Sequence, residues 1–115
     1  MIKNRFMRLV VIFDLPTITK TDKRNYRKFV KYLKNEGYIR IQYSVYSKLC
    51  INNNSCSTAS KKLENNAPKD GDIRYMIITE NQYLSIANIN NVYSLQERIT
   101  TMDRTIIIGG MNSEN

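Results

Sequence analysis

The chain has 115 residues, 42% of them hydrophobic, and sets 18 basic against 10 acidic side chains for a formal net charge of +8. That length supports a single core without metal or disulfide staples, and no apolar stretch approaches the about 20 residues of a membrane span. With no histidine in the chain, imidazole zinc sites and the commonest general base are excluded.

Lys3, Arg5 and Arg8 precede an apolar run, but Asp14 interrupts it and no small-residue cleavage site follows, so the segment is not expected to be a secretion signal. Leu9, Val10, Val11, Ile12 and Phe13 instead predict a strand buried on both faces, stopped by Asp14 and then by Pro16, which cannot continue a ladder. A carboxylate at a strand end either caps the following turn or binds something.

Thr17, Thr19 and Thr21 offer helix caps, and Thr19 with Asp22 resembles a capping box using Asp in place of Glu. Tyr26, Phe29, Val30 and Leu33 then follow at helical spacing, with Gly37 where a terminating glycine belongs. A helix is expected over about 21–36. Lys20, Lys23, Arg24, Arg27, Lys28, Lys31 and Lys34 fall within an arc of roughly 140° on its wheel. No acid lies in that arc to form i, i+4 pairs. A solvated charge run normally interleaves both signs, so the pattern points to a polyanion-binding face.

Residues 38–50 alternate. Ile39, Ile41, Tyr43, Val45 and Leu49 are expected on one side, with Arg40, Gln42, Ser44, Tyr46 and Lys48 on the other. The second set suits phosphate and sugar contacts, and equally the solvent face of a half-buried sheet. The run reads as one bent strand or two short ones. Asn52 to Ser55 supply caps for a second helix with Cys56, Ala59, Leu63 and Ala67 on its buried side, ended by Pro68. Residues 68–72 read as a turn and 73–79 as a strand. Gln82 to Ile86 and Ser94 to Arg98 suggest short helical pieces, and Thr105, Ile106, Ile107 and Ile108 a last strand before a tail at 111–115.

The order strand, helix, strand or strands, helix, strand matches an α+β, ferredoxin-like βαββαβ plait with an extra carboxy-terminal strand. One domain is expected over 1–110, with its core at about 6–80. Residues 1–48 hold 12 Lys/Arg against 3 acids, and residues 49–115 hold 6 against 7. So one-sided a field suits nucleic acid ahead of a membrane surface, because no segment offers a Trp- or Leu-rich insertion face. Cys50 and Cys56 lack zinc-site spacing, and a reduced, cytoplasmic chain is the simplest expectation. A metabolite-binding domain of the same plan would want Gly-rich turns, and the chain has 4 glycines. An RNA-recognition domain would want spaced aromatics on its first and third strands.

Taken together, the Phe13-Asp14 strand end, the basic helix with Tyr26-Arg27-Lys28-Phe29, Glu36-Gly37 and Gln42-Tyr43-Ser44-Val45-Tyr46 resemble the small CRISPR-associated adaptation protein family. This is the ferredoxin-fold, nuclease-like partner of the adaptation integrase, similar in fold to toxin endoribonucleases. The likeness covers roughly residues 6–80, and is greatest to members from single-effector (type II) systems. It implies a symmetric homodimer with exchanged last strands, placing Thr105, Ile106, Ile107 and Ile108 at the interface. It also implies that Asp14 is the catalytic residue and, with its mate in the second subunit, a Mg²⁺ ligand. The expected partners are the integrase and duplex DNA, with single-stranded RNA as a further substrate. Lys20, Lys23, Arg24, Arg27, Lys28, Lys31, Arg40 and Lys48 are the expected nucleic-acid contacts. An integrase-independent, toxin-type endoribonuclease is the alternative.

Overall fold

A computed structural model describes residues 5–90; the expected helical piece at 94–98, the strand at 105–108 and the tail at 111–115 lie outside them. The compact unit ending at Thr79 runs β1 (Met7–Asp14), α1 (Lys20–Asn35), β2 (Ile39–Gln42), β3 (Val45–Cys50), α2 (Asn53–Asn66) and β4 (Asp72–Thr79). The four strands form one antiparallel sheet in the order β2-β3-β1-β4. This is the ferredoxin-like α+β plan. A second unit begins at Glu80; its helix α3 (Glu80–Leu84) starts and ends two residues before the helical piece expected at 82–86, and Ser85 Oγ donates to the Gln82 carbonyl at 2.7 Å.

Alternation along β1 sends Leu9, Val11 and Phe13 toward the helices, where they meet Phe29 and Leu33 of α1 and Cys56 and Leu63 of α2 in one core. Burying each large apolar side chain there contributes about 1.5–3 kcal/mol before entropy is counted. Burial on both faces of β1 holds through Val10 and Val11 but fails at Ile12, which is 44% exposed. The helices cover one face only, and Ile12 points to the other.

Residues 38–50 form two strands joined by a two-residue turn at Tyr43 and Ser44, with the register shifting between Arg40 and Gln42. The shift offsets the phase change of the turn, so Ile39 and Leu49 still share one side and Arg40 and Tyr46 the other, as the alternation predicts. The sides are reversed: Tyr46, expected among outward-facing donors, lies opposite Val11 on the helix-covered face and is buried, whereas Leu49 is 47% exposed.

Helix termini follow local chemistry. Thr19 Oγ1 accepts from the Asp22 N–H and the Asp22 carboxylate accepts from the Thr19 N–H, both at 3.0 Å, closing the expected capping box. At the other end Gly37, at φ +89°, donates to the Lys34 carbonyl at 3.1 Å and Tyr38 donates to that of Leu33 at 3.0 Å. This paired ending needs a residue in the left-handed region, which glycine adopts without a Cβ penalty. Asn52 caps α2, its Oδ1 accepting from the Ser55 N–H at 2.8 Å.

Candidate nucleic-acid interface

Helix α1 buries Phe29 and Leu33 and leaves Lys20, Lys23, Arg24, Arg27, Lys28, Lys31 and Lys34 exposed. Among the described residues none of these seven forms a salt bridge. The ion pairs present lie elsewhere: Lys62 with Glu36 at 2.9 Å, and Arg74 with Asp72 at 3.1 Å. The structure thus brings Lys20, Lys23, Arg24, Arg27, Lys28 and Lys31 together as one uncompensated face. Arg40 is exposed on the edge strand β2, opposite Tyr46. Lys48 is employed differently: its ammonium donates to the Glu36 carbonyl at the end of α1 and lies 5.7 Å from the centre of the Tyr38 ring. A cation there completes the helix C-terminus.

Asp14 is exposed at the last position of β1. Among the described residues nothing hydrogen-bonds or ion-pairs with its carboxylate. The backbone beneath it is held by Gly71, at φ +97°, where a Cβ would come within 2.9 Å of the Asp14 carbonyl oxygen and 2.5 Å of Leu15 Cδ2. Close approach therefore requires glycine there, and the 68–72 turn clamps the strand end. Beside it lies a shallow cleft lined by Leu15, Pro16, Asp22, Asn25, Tyr26, Pro68 and Asp70.

The β1–β4 register sets Asp72 directly opposite Asp14, a neighbour that sequence spacing alone did not reveal. Like charges in that relation repel. Arg74 offsets this: its guanidinium grips both Asp72 oxygens, with Nε at 3.1 and 3.3 Å and Nη2 at 3.1 Å, and holds the Asp72 carboxyl below its ordinary range. No group of three or more His, Cys, Asp or Glu side chains that could hold a metal occurs among the described residues. Mg²⁺ asks less of a protein, taking one or two carboxylates and keeping several waters. The unpaired oxygens of Asp14 fit such an ion, completed by water, phosphate or a second protomer, and do not form a closed cage.

Aromatic side chains link the strand end to α1. Phe13 meets Phe29 edge-on at 5.2 Å and Tyr26 at 6.1 Å, and stacks with Tyr46 at 5.8 Å. Its N–H donates to the Ser44 carbonyl at 3.1 Å, tying the β2–β3 turn to β1. Tyr43 stacks on Tyr26 at 6.4 Å. Burial, with a further push from the Tyr43 hydroxyl, raises the Tyr26 phenol above its ordinary value. Cys50 and Cys56 are free and buried; burial and then the Cys50 thiol push Cys56 up to about 12, so it stays a protonated, inert thiol at neutral pH.

Fold and site together define a ferredoxin-like domain with an exposed strand-end carboxylate and a cationic helix. The family model "CRISPR associated protein Cas2" matches residues 7–86. A "CRISPR-associated endoribonuclease Cas2" of Ligilactobacillus salivarius is 41% identical over 102 residues, covering 89% of this chain and all of the relative. Proteins of the same name from Streptococcus mutans and Treponema denticola are 42% and 38% identical, over 73% and 89% of this chain and 77% and 100% of theirs. The chain belongs to the CRISPR-associated Cas2 family, and that membership supports a role in CRISPR adaptation. No helix among the described residues is long and apolar enough to cross a membrane.

Proposed function

We propose that the protein acts in spacer acquisition as a homodimer that grips duplex DNA and bridges subunits of the adaptation integrase. The observation that carries this reading is the α1 face: seven exposed cations without an ion-pair partner among the described residues. Such a face neutralises phosphates without reading bases. Dimerisation is supported by the sheet face away from the helices, where Ile12, Ile39, Leu49 and Met76 are 44–56% exposed. The 105–108 strand is proposed as the segment exchanged between protomers. Asp14 and its mate in the second protomer are proposed to hold Mg²⁺. The chemistry such an ion supplies when bound is charge neutralisation at a phosphodiester. The chain's own share is to position the phosphate with α1 and to present Asp14 at a clamped strand end.

The relatives' names favour a second reading, a metal-dependent endoribonuclease. A cleavage assay on single-stranded RNA and duplex DNA with Mg²⁺, comparing wild type with Asp14→Asn, separates the two. The scaffold reading expects no cutting by either protein and duplex binding by both. Metal-dependent cutting of RNA that the variant loses would make Asp14 catalytic and replace the scaffold with the nuclease.

A further inference from the structure

Tyr43 occupies a two-residue turn and is 74% exposed. Such turns favour Asn, Asp and Gly, so the local backbone gives no reason for an aromatic there. Yet the ring is not loose. It stacks on Tyr26 at an interplanar angle of 29°, and Tyr26 in turn packs against Phe13 of the core at 6.1 Å. The Phe13 N–H bond to the Ser44 carbonyl pins the turn itself. One face of Tyr43 is thereby backed by protein while most of the side chain stays open, which lowers the entropy cost of using it for binding.

The cationic arc of α1 borders this platform on one side. Lys23 lies one turn before Tyr26 and Arg27 one turn beyond Lys23 in that arc, both exposed and neither in an ion pair among the described residues, while Asp22 lies on the other flank of Tyr26. A flat aromatic surface beside free cations suits a ligand that alternates planar rings with phosphates. In a duplex the base faces are already stacked on each other, so only an unpaired base can use it.

We propose that Tyr43, backed by Tyr26, is a stacking subsite for an unpaired base of single-stranded nucleic acid whose phosphates lie along Lys23 and Arg27. The inference rests on the nucleic-acid reading of α1 and adds strand selectivity to it.

The test measures affinities of the full chain for oligo-dT, for oligo-U and for a duplex of equal length by fluorescence anisotropy. RNA and DNA share the base-and-phosphate chemistry, and the single-stranded arm with the larger Tyr43 effect identifies the sugar. Tyr43→Ala should weaken single-strand binding roughly 5- to 100-fold while leaving the duplex within about twofold, and Tyr43→Phe should retain it. Because the chain has no tryptophan, Tyr43→Trp adds a unique reporter. Its emission should be quenched by the single strands and not by inorganic polyphosphate. Single-strand affinity unchanged in Tyr43→Ala, equal losses for single strand and duplex, or equal quenching by polyphosphate would overturn the proposal. Charge reversal on α1 separates the two readings. If it abolishes binding while Tyr43→Ala does nothing, the subsite alone fails. If it leaves binding intact, the α1 reading fails first, and no binding by wild type overturns both.

Discussion

Helices α1 and α2 lie on the same face of the sheet, span 16 and 14 residues and are both capped by a polar side chain, yet they spend their charges differently. On α2, Lys62 reaches Glu36 at the end of α1, and Glu64 accepts from the Tyr75 hydroxyl of β4 at 2.6 Å. Those charges tether one element to another. On α1 the seven cations face solvent with no acid in their arc. Fold stability does not ask for that arrangement, since like charges on one helix face repel. The contrast is what supports the proposed nucleic-acid contact on α1, with the Lys62 and Glu64 bonds of α2 serving the fold.

Breaking the contrast should have its largest effect on binding. Reversing Arg24, Arg27 and Lys31 to Glu is expected to lower duplex DNA affinity by at least about 100-fold at moderate salt, whereas Lys61→Glu on α2 stays within about threefold. Anisotropy titrations check both. Equal losses would show that general charge, not the α1 face, drives binding.

The caps sharpen the comparison at lower energy. Thr19→Ala and Asn52→Ala should each cost about 1 kcal/mol in urea unfolding, whereas Asp22→Asn, which removes the titrating carboxylate of the capping box, should change acid sensitivity. The Asp22 carboxyl is held below its ordinary value, chiefly by the Thr19 backbone N–H. That stabilisation is fully present above the ordinary carboxylate pKa of about 3.9 and is lost as pH falls through the lowered folded value. An acid titration of stability in wild type and Asp22→Asn should show a gap above that region that shrinks as pH falls through it.

Tyr38 follows the α1 C-terminus into the core, and its buried hydroxyl has no hydrogen-bond partner among the described residues. Tyr38→Phe should stabilise the fold by about 1 kcal/mol, because an unsatisfied buried hydroxyl is removed. Burial also raises the Tyr38 phenol well above its ordinary value. The native state then keeps a proton that the unfolded chain releases near pH 10, so wild-type stability falls as pH rises past that point. Tyr38→Phe should flatten the alkaline fall. The smallest effect is expected from Lys62→Ala: the Lys62–Glu36 bridge is largely exposed, and its loss should stay within the error of urea unfolding.

How much of this was legible in the sequence divides along local and long-range lines. The capping box, the Phe29 and Leu33 spacing, the Gly37 ending and the cationic arc of α1 all depend on residues within a few positions of each other, and each can be read directly. The strand end at Asp14 was legible from Pro16. The Tyr43–Ser44 turn was not, because neither position holds the Gly, Asn or Asp that two-residue hairpin turns favour, and no Pro flanks it. Lys48 looked like an outward cation because its acceptor, the Glu36 carbonyl, is 12 positions away. Asp72 opposite Asp14 and the Gly71 clamp depend on β1–β4 register, which no local pattern encodes.

Whether α1 is the interface is decided by the slope of log affinity for duplex DNA against log salt concentration. Each neutralised phosphate contributes about 0.9 to that slope on B-form DNA. If the α1 face is the interface, reversing Arg24, Arg27 and Lys31 should make the slope shallower by about 2.7, while Lys61→Glu runs parallel to wild type. A slope unchanged by the α1 reversal would place the phosphate contacts elsewhere on the molecule.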